Sequence, residues 1–335
     1  MKTAIQDELR KKLSKKRAST VVYRIVKAEA PSTSANLGPG FDVFGLALGV
    51  FYDRVEIKLV SEHGQTVSVE GTGYERLSTE VQKNTAGLVA STVMDAMKKE
   101  EGLEIKLIKG VPIGKGLGSS AASAACCVRA LDEMFGLALG PKDLVELAAY
   151  GELASTGTVH FDNAAAAVLG GFVAVSREPL LFASLKPPKD LEVAVAIPKL
   201  QFPEEKTKMM RGFLPKVVDL DRVTYNVAHA SLLVAGMATS DIRMIGNAMS
   251  DSIVEPVRSK TIPLFREAKA AALNAGAYGF TISGAGPAVI AVCSKTEANT
   301  KDVARAMKEA FEQRGIACDA YSTQPSAGAT VTERR

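Results

Sequence analysis

Residues 110–131 read GVPIGKGLGSSAASAACCVRAL, with glycines at 114, 116 and 118, serines at 119 and 120, and small residues after them. Glycine takes backbone conformations that other residues avoid and lets main chain approach a ligand closely. The alanine-rich stretch beyond predicts a helix, whose first turn carries unpaired N–H groups and the positive end of the helix dipole. Together these features suit a bound anion, phosphate above all. Two well-known phosphate loops do not fit. A Walker A loop places Ser or Thr directly after its lysine, whereas Lys115 is followed by Gly116. In the dinucleotide pattern GxGxxG the third glycine would fall one position later than Gly118, and no acidic residue follows at the ribose-binding distance. For glycines alone, a tight turn before a packed helix is explanation enough. Ser119 and Ser120 add hydroxyls at the helix start, where they can bind phosphate or a metal, and Ala121, Ala122 and Ala124 allow close packing.

Neighbouring segments sharpen this. The pattern PxGxGLGSSAA, from Pro112 to Ala122, resembles the nucleotide loop of the galactokinase, homoserine kinase, mevalonate kinase and phosphomevalonate kinase (GHMP) superfamily. APSTSANLGPGFDVFGLAL (Ala30–Leu48) resembles the first motif of homoserine kinases, and SGAGPAVIAV (Ser283–Val292) the third motif of the superfamily. HFDNAAAAVLGG (His160–Gly171) and SDSIVEPVR (Ser250–Arg258) are similar to further homoserine kinase segments. The five blocks lie in order between about residues 22 and 324.

That resemblance implies an α+β fold of two domains, the first related to the second domain of ribosomal protein S5 and the second ferredoxin-like. It implies ATP- and Mg2+-dependent phosphorylation of the L-homoserine hydroxyl, a step of threonine biosynthesis in the cytoplasm. By the same resemblance, Pro112, Ile113, Gly114, Lys115, Gly116, Leu117, Gly118, Ser119 and Ser120 surround the ATP phosphates, and Asn84 lines the adenine pocket, although a helix cap is sufficient reason for an asparagine there. Ser120 and Glu152 match the family's magnesium ligands, hard oxygens of the kind Mg2+ prefers. Arg211 and Arg258 match the two arginines used on the amino acid, where a guanidinium fork fits a carboxylate bidentately. Asn36, Asp42 and Asn163 match polar groups facing the substrate's ammonium and hydroxyl, and Thr207 lies beside Arg211. Asp162 neighbours Asn163, yet homoserine kinases resemble one another in lacking a well-placed general base. The alternatives are another GHMP kinase of the mevalonate type and a non-catalytic paralogue that binds nucleotide or amino acid. The paired arginines argue against the first, and Ser120, Glu152 and the full loop against the second. Relatives are often dimers, so a homodimer is the analogy for assembly.

Composition is that of an ordinary globular protein. Of 335 residues, 47% are hydrophobic and 23% charged. No apolar run reaches the roughly 18 residues that span a bilayer, so no membrane association is expected. Cys126, Cys127, Cys293 and Cys318 form no CxxC pair and read as reduced core residues, and three histidines without zinc spacing argue against a zinc site. Within residues 1–20, seven basic side chains oppose Asp7 and Glu8, so this segment alone exceeds the chain's net charge of +4. The body is then near neutral, which argues against nucleic-acid binding. Ile5, Leu9 and Leu13 recur every fourth position there, the narrow apolar stripe of a short helix able to dock on the protein's own surface or on a second subunit.

The elements that must position these groups follow from periodicity. Strands are predicted at 21–29, 46–60 and 103–109, and helices after Asn84, after the glycine loop and from Pro141. SLKPPKD (Ser184–Asp190) reads as a linker, which divides the chain into an extension 1–21, a nucleotide-binding domain 22–186 and a ferredoxin-like domain 187–335. Beyond it come a strand at 191–197, helices to about Asn274, strands at 278–282 and 288–293, a helix to about Arg314 and a strand at 316–323.

Overall fold

Alternating burial along two long strands sets the frame of the N-terminal half. β1 (Ile25–Ala35) pairs antiparallel with β2 (Phe44–Val60), and β2 pairs with β4 (Gly102–Lys109) at one end and β5 (Phe172–Arg177) at the other. The computed structural model describes residues 9–14, 21–157, 159–202 and 206–335. β1 runs six residues beyond its expected end, because Ala30–Ala35, which open the first motif, are buried strand residues. The pairing shifts register between Pro31 and Ser32, where a residue without an N–H is tolerated. β3 (Gln65–Gly71) runs parallel to β4, and β6 (Leu180–Leu185) forms a hairpin with β5.

Helices α2 (Thr85–Met97), α3 (Ser119–Phe135), α4 (Pro141–Gly151), α5 (Leu153–Thr156) and α6 (Phe161–Leu169) belong to this half. α3 is buried from Ala121 to Val128, and its small residues let β1, α2, α4 and α6 close on it. The last strand, β11 (Thr330–Arg334), returns to this sheet and pairs antiparallel with β1, giving the order β11-β1-β2-β4-β3. The C-terminal ten residues therefore do not stay with the domain to which 187–335 was assigned. They cover a strand edge that would otherwise offer unpaired main-chain groups.

In the second half, β7 (Leu191–Pro198), β8 (Gly279–Ile282), β9 (Val289–Ser294) and β10 (Cys318–Thr323) form an antiparallel sheet of order β10-β7-β9-β8. With α11 (Phe265–Asn274) and α12 (Thr300–Glu312) this is the expected ferredoxin-like arrangement. Between β7 and α11 lie α7 (Lys206–Gly212), α8 (Leu220–Thr239), α9 (Ile242–Asn247) and α10 (Glu255–Arg258). Both sheet faces are buried. Ala194, Ala196 and Ala291 face Phe265, Met307 and Phe311, while Val193, Val195 and Ile290 join Leu233, Met237 and Ile245 in the core shared with the N-terminal half.

Residues 9–14 are helical (α1), and Leu9 and Leu13 are buried in that shared core. Arg10 pairs with Asp95 of α2, and Lys12 with Glu146 of α4, at 2.6 Å each. The stripe thus docks on the chain's own surface; Ile5 lies outside the described residues. Since no motif lies on it, deleting residues 1–20 is expected to lower the melting temperature and leave kcat/KM nearly unchanged. Leu13→Ala alone should cost about 2 kcal/mol of stability through its cavity. Denaturant unfolding and steady-state kinetics on the same preparations check both.

Candidate active site

The glycine loop leaves β4 and enters α3 through three residues of positive φ: Gly114 (71°), Gly116 (84°) and Gly118 (66°). Two of them have no room for a side chain. A Cβ at Gly116 would lie 2.3 Å from the Ser283 carbonyl oxygen, and one at Gly118 would fall on Thr33 Oγ1. The loop is tied on both sides. Thr33 N–H donates to Leu117 O at 3.0 Å, Ser283 Oγ donates to Gly116 O at 2.7 Å, and Ala288 N–H donates to Lys115 O at 3.0 Å. Ser34 Oγ lies 2.9 Å from Ser283 Oγ. First motif, glycine loop and SGAGP turn therefore meet at one place. The Lys115 ammonium reaches Leu200 O at 3.1 Å, and burial lowers its pKa. It points to the end of β7, which settles its direction.

At the start of α3, Ser120 Oγ lies 3.2 Å from Oε2 of Glu152, the residue that caps the C-terminus of α4. Glu152 is buried, and His160 Nδ1 sits 3.4 Å from the same oxygen. Burial works against the His160 imidazolium, but the hydrogen bond to Glu152 and the charges of Glu152 and Asp162 favour it, so its pKa is raised overall. A hydroxyl and a carboxylate converging here are hard donors suited to Mg2+. Among the described residues no cluster of three or more His, Cys, Asp or Glu could hold a metal.

Between β1 and β2 the first motif makes a turn with Asn36 and Asp42 both at positive φ. Asn36 Oδ1 accepts from Asp42 N–H at 3.0 Å, and its Nδ2 donates to Gly284 O at 3.0 Å, so the amide fixes the turn against the third motif. The Asp42 carboxylate receives both arms of Arg211, at 2.9 and 2.8 Å, and Arg177 approaches it at 3.0 Å. Arg258, on α10, donates to Gly284 O at 3.0 Å, and both Arg258 and Arg211 lie over the Phe41 ring. Burial, reinforced by repulsion from Arg211, pulls the Arg258 pKa down to about 10, so it stays charged at neutral pH. Its Nε is buried with no hydrogen-bond partner among the described residues. Asn163 Oδ1 accepts from Thr33 Oγ1 at 2.7 Å, and its N–H donates to Asp162 at 2.8 Å.

The structure thus gathers Asn36, Asp42, Arg211 and Arg258 into one cluster, and Thr33 links Asn163 to the glycine loop. Asp42 and Arg211, expected to face opposite ends of a substrate, bond to each other. Asn84 caps α2 with Oδ1, accepting from Ala86 and Gly87 N–H, and donates from Nδ2 to Ser78 O. Its amide is engaged by main chain at both ends. The Thr207 side chain lies outside the described residues. Sequence reasoning missed Thr33, His160 and Arg177. The first two sat inside quoted motifs, but Arg177 reaches Asp42 only through the β5–β6 hairpin and carried no local signal.

The GHMP kinases N terminal domain model matches residues 84–171, and the GHMP kinases C terminal model matches residues 233–313. A homoserine kinase of Methanococcus maripaludis is 41% identical over 310 residues, spanning 92% of this chain and 98% of the relative. That of Thermoplasma acidophilum is 40% identical over 309 residues, spanning 91% and 96%. The crystal structure of homoserine kinase from Cytophaga hutchinsonii aligns at 36% identity with a TM-score of 0.87, over 93% of this chain and 99% of that one. L. major mevalonate kinase in complex with R-mevalonate, at 18% identity and a TM-score of 0.65 over 92% and 98% of the two chains, shares the fold alone. Fold and site define a kinase of the GHMP class. Within it, the chain belongs to the homoserine kinase family.

Burial, with the charge of Asp42 added, raises the Asp162 carboxyl to about 6, against about 3.9 in an unfolded chain. The fold favours the neutral carboxyl, so this contribution to stability is complete below about pH 4 and is lost as pH rises through about 6. Asp162→Asn keeps the acceptor for Asn163 and cannot ionise. Chemical denaturation should find it more stable than wild type at pH 8 by on the order of 2–3 kcal/mol, with the difference vanishing near pH 4.

Proposed function

We propose that the chain transfers the γ-phosphoryl group of ATP to the side-chain hydroxyl of L-homoserine, giving O-phospho-L-homoserine. The observation that carries this reading is Arg258, a buried guanidinium with an unpaired Nε beside the Arg211 fork. A buried charged donor left unpaired is costly, and a substrate carboxylate would satisfy it. Arg211 already grips a carboxylate, that of Asp42, in the bidentate geometry an amino-acid carboxylate would adopt. Asp42, which Arg177 also approaches, supplies the negative charge for the ammonium.

The phosphates lie along Gly114–Ser120, where loop and helix-start amides face developing negative charge. Ser120 and Glu152 would hold Mg2+, which when bound neutralises charge on the transferred group. Asn163 and Asp42 hold the hydroxyl for in-line attack. Phosphoryl transfer has a loose transition state, so positioning and charge stabilisation supply most of the catalysis. Asp162 accepts from Asn163 N–H and holds that residue. The hydroxyl proton leaves to a phosphate oxygen or to solvent.

A coupled ATPase assay with L-homoserine, L-threonine and mevalonate tests the reading: turnover should be strong with L-homoserine alone. Arg258→Ala and Arg211→Ala should each raise the KM for homoserine roughly ten- to hundredfold, from the loss of about 1.5–3 kcal/mol of charge-assisted bonding. ATP affinity should be spared, and an equal loss would place the arginines at the nucleotide. Glu152→Gln should keep a native circular dichroism spectrum and lower kcat by orders of magnitude.

A further inference from the structure

Beneath the glycine loop lies an ion pair shut off from water. Asp53 of β2 and Lys109, the last residue of β4, sit one position beyond Arg54 and Ile108, the last pair between these two strands. The Lys109 and Asp53 side chains are 1% and 0% exposed and bond directly to each other. Lys109 Nζ also donates to Ser119 O at 3.0 Å and to Ser123 Oγ at 2.8 Å, which employs all three of its N–H groups. Asp53 Oδ1 accepts from Gly110 N–H and Val111 N–H, both at 3.0 Å, while Oδ2 also accepts from Ser123 Oγ at 2.7 Å. Every strong donor and acceptor of the pair is thereby used.

Burying two charges is expensive, and an apolar pair of similar volume is often as stable or more so. An apolar pair, however, could neither accept from the two amides where the loop begins nor donate to the carbonyl where it ends. The network ties residues 110, 111 and 119 to one point and so fixes the span of the arc between them. Ser119 Oγ adds a stitch to Val111 O at 3.1 Å. A loop already shaped avoids the ordering cost that binding would otherwise carry.

We propose that Asp53, Lys109 and Ser123 are positioning residues that preorganise the loop for ATP, an inference that rests on the reading of this loop as the ATP site. The test uses Asp53→Asn, Ser123→Ala and the paired replacement Asp53→Leu with Lys109→Met in the full chain. Affinity for ATP is measured by titration with MgATP, the KM for L-homoserine by coupled assay, and loop opening by deuterium uptake over residues 110–120 without nucleotide. Variants that melt above the assay temperature should bind ATP at least tenfold more weakly, keep the KM for homoserine within twofold, and exchange the loop faster. The apolar pair is the sharpest arm, since a merely structural role predicts a stable protein with wild-type ATP affinity. Where the charged-site variants do not fold, Ser123→Ala, which removes one neutral hydroxyl, carries the same readouts. ATP affinity within twofold of wild type in the folded variants, or unchanged loop exchange, overturns the proposal. Failure of the underlying reading is separately visible, as wild-type protein that neither binds MgATP nor turns over L-homoserine.

Discussion

Main chain passes main chain at Gly116 at a distance that no side chain could share, and the relation between the two halves depends on that approach. The Gly116 carbonyl accepts from Ser283 of the C-terminal half, while Ser34 of β1 touches the same serine. A residue with a Cβ at Gly116 would have to displace backbone, which does not yield as a flexible side chain does. One loop therefore registers the first motif, the start of α3 and the SGAGP turn against each other. The side chains of Asn36 and Arg258 inherit their positions from that contact, because both bond to Gly284, the next residue along.

Charge organises the rest of the site. Arg211 and Arg258 lie over one aromatic ring and repel each other, and the carboxylate of Asp42, bonded to Arg211, offsets part of that repulsion. Asp162 and Glu152 are buried on the other side, and His160 is held toward its charged form by both. The cluster presents both signs of charge and so is complementary to a ligand that brings both. A zwitterionic amino acid does so, and mevalonate, with a carboxylate alone, does not.

The strand and helix order of the C-terminal half was legible from periodicity, because β7, β9 and α12 are long enough for apolar spacing to show. The phosphate loop was legible as well, since glycine spacing and following hydroxyls are local features. β11 was not legible: five residues with little apolar content declare themselves only when β1 offers an edge. Nor was the engagement of Asn84. Asparagine before a helix reads equally as a cap or a ligand, and only the hydrogen bonds to Ser78, Ala86 and Gly87 show how its amide is used.

By itself the sequence determined the α+β class and the glycine loop with Ser119 and Ser120, because residue type and short spacing constrain local geometry directly, whereas Arg211 and Arg258 stood out only through the family resemblance. Tertiary structure decided which of these groups meet. Asp42 and Arg211 are 169 positions apart along the chain and bond face to face. Asp53, within one strand, and Lys109, at the end of another, read as ordinary charged residues until the sheet closes water away from them. The direction of Lys115 and the docking of residues 9–14 were likewise open in one dimension. Partner choice for a long charged side chain or a short apolar stripe depends on which surfaces lie within reach, and only the fold brings those surfaces together.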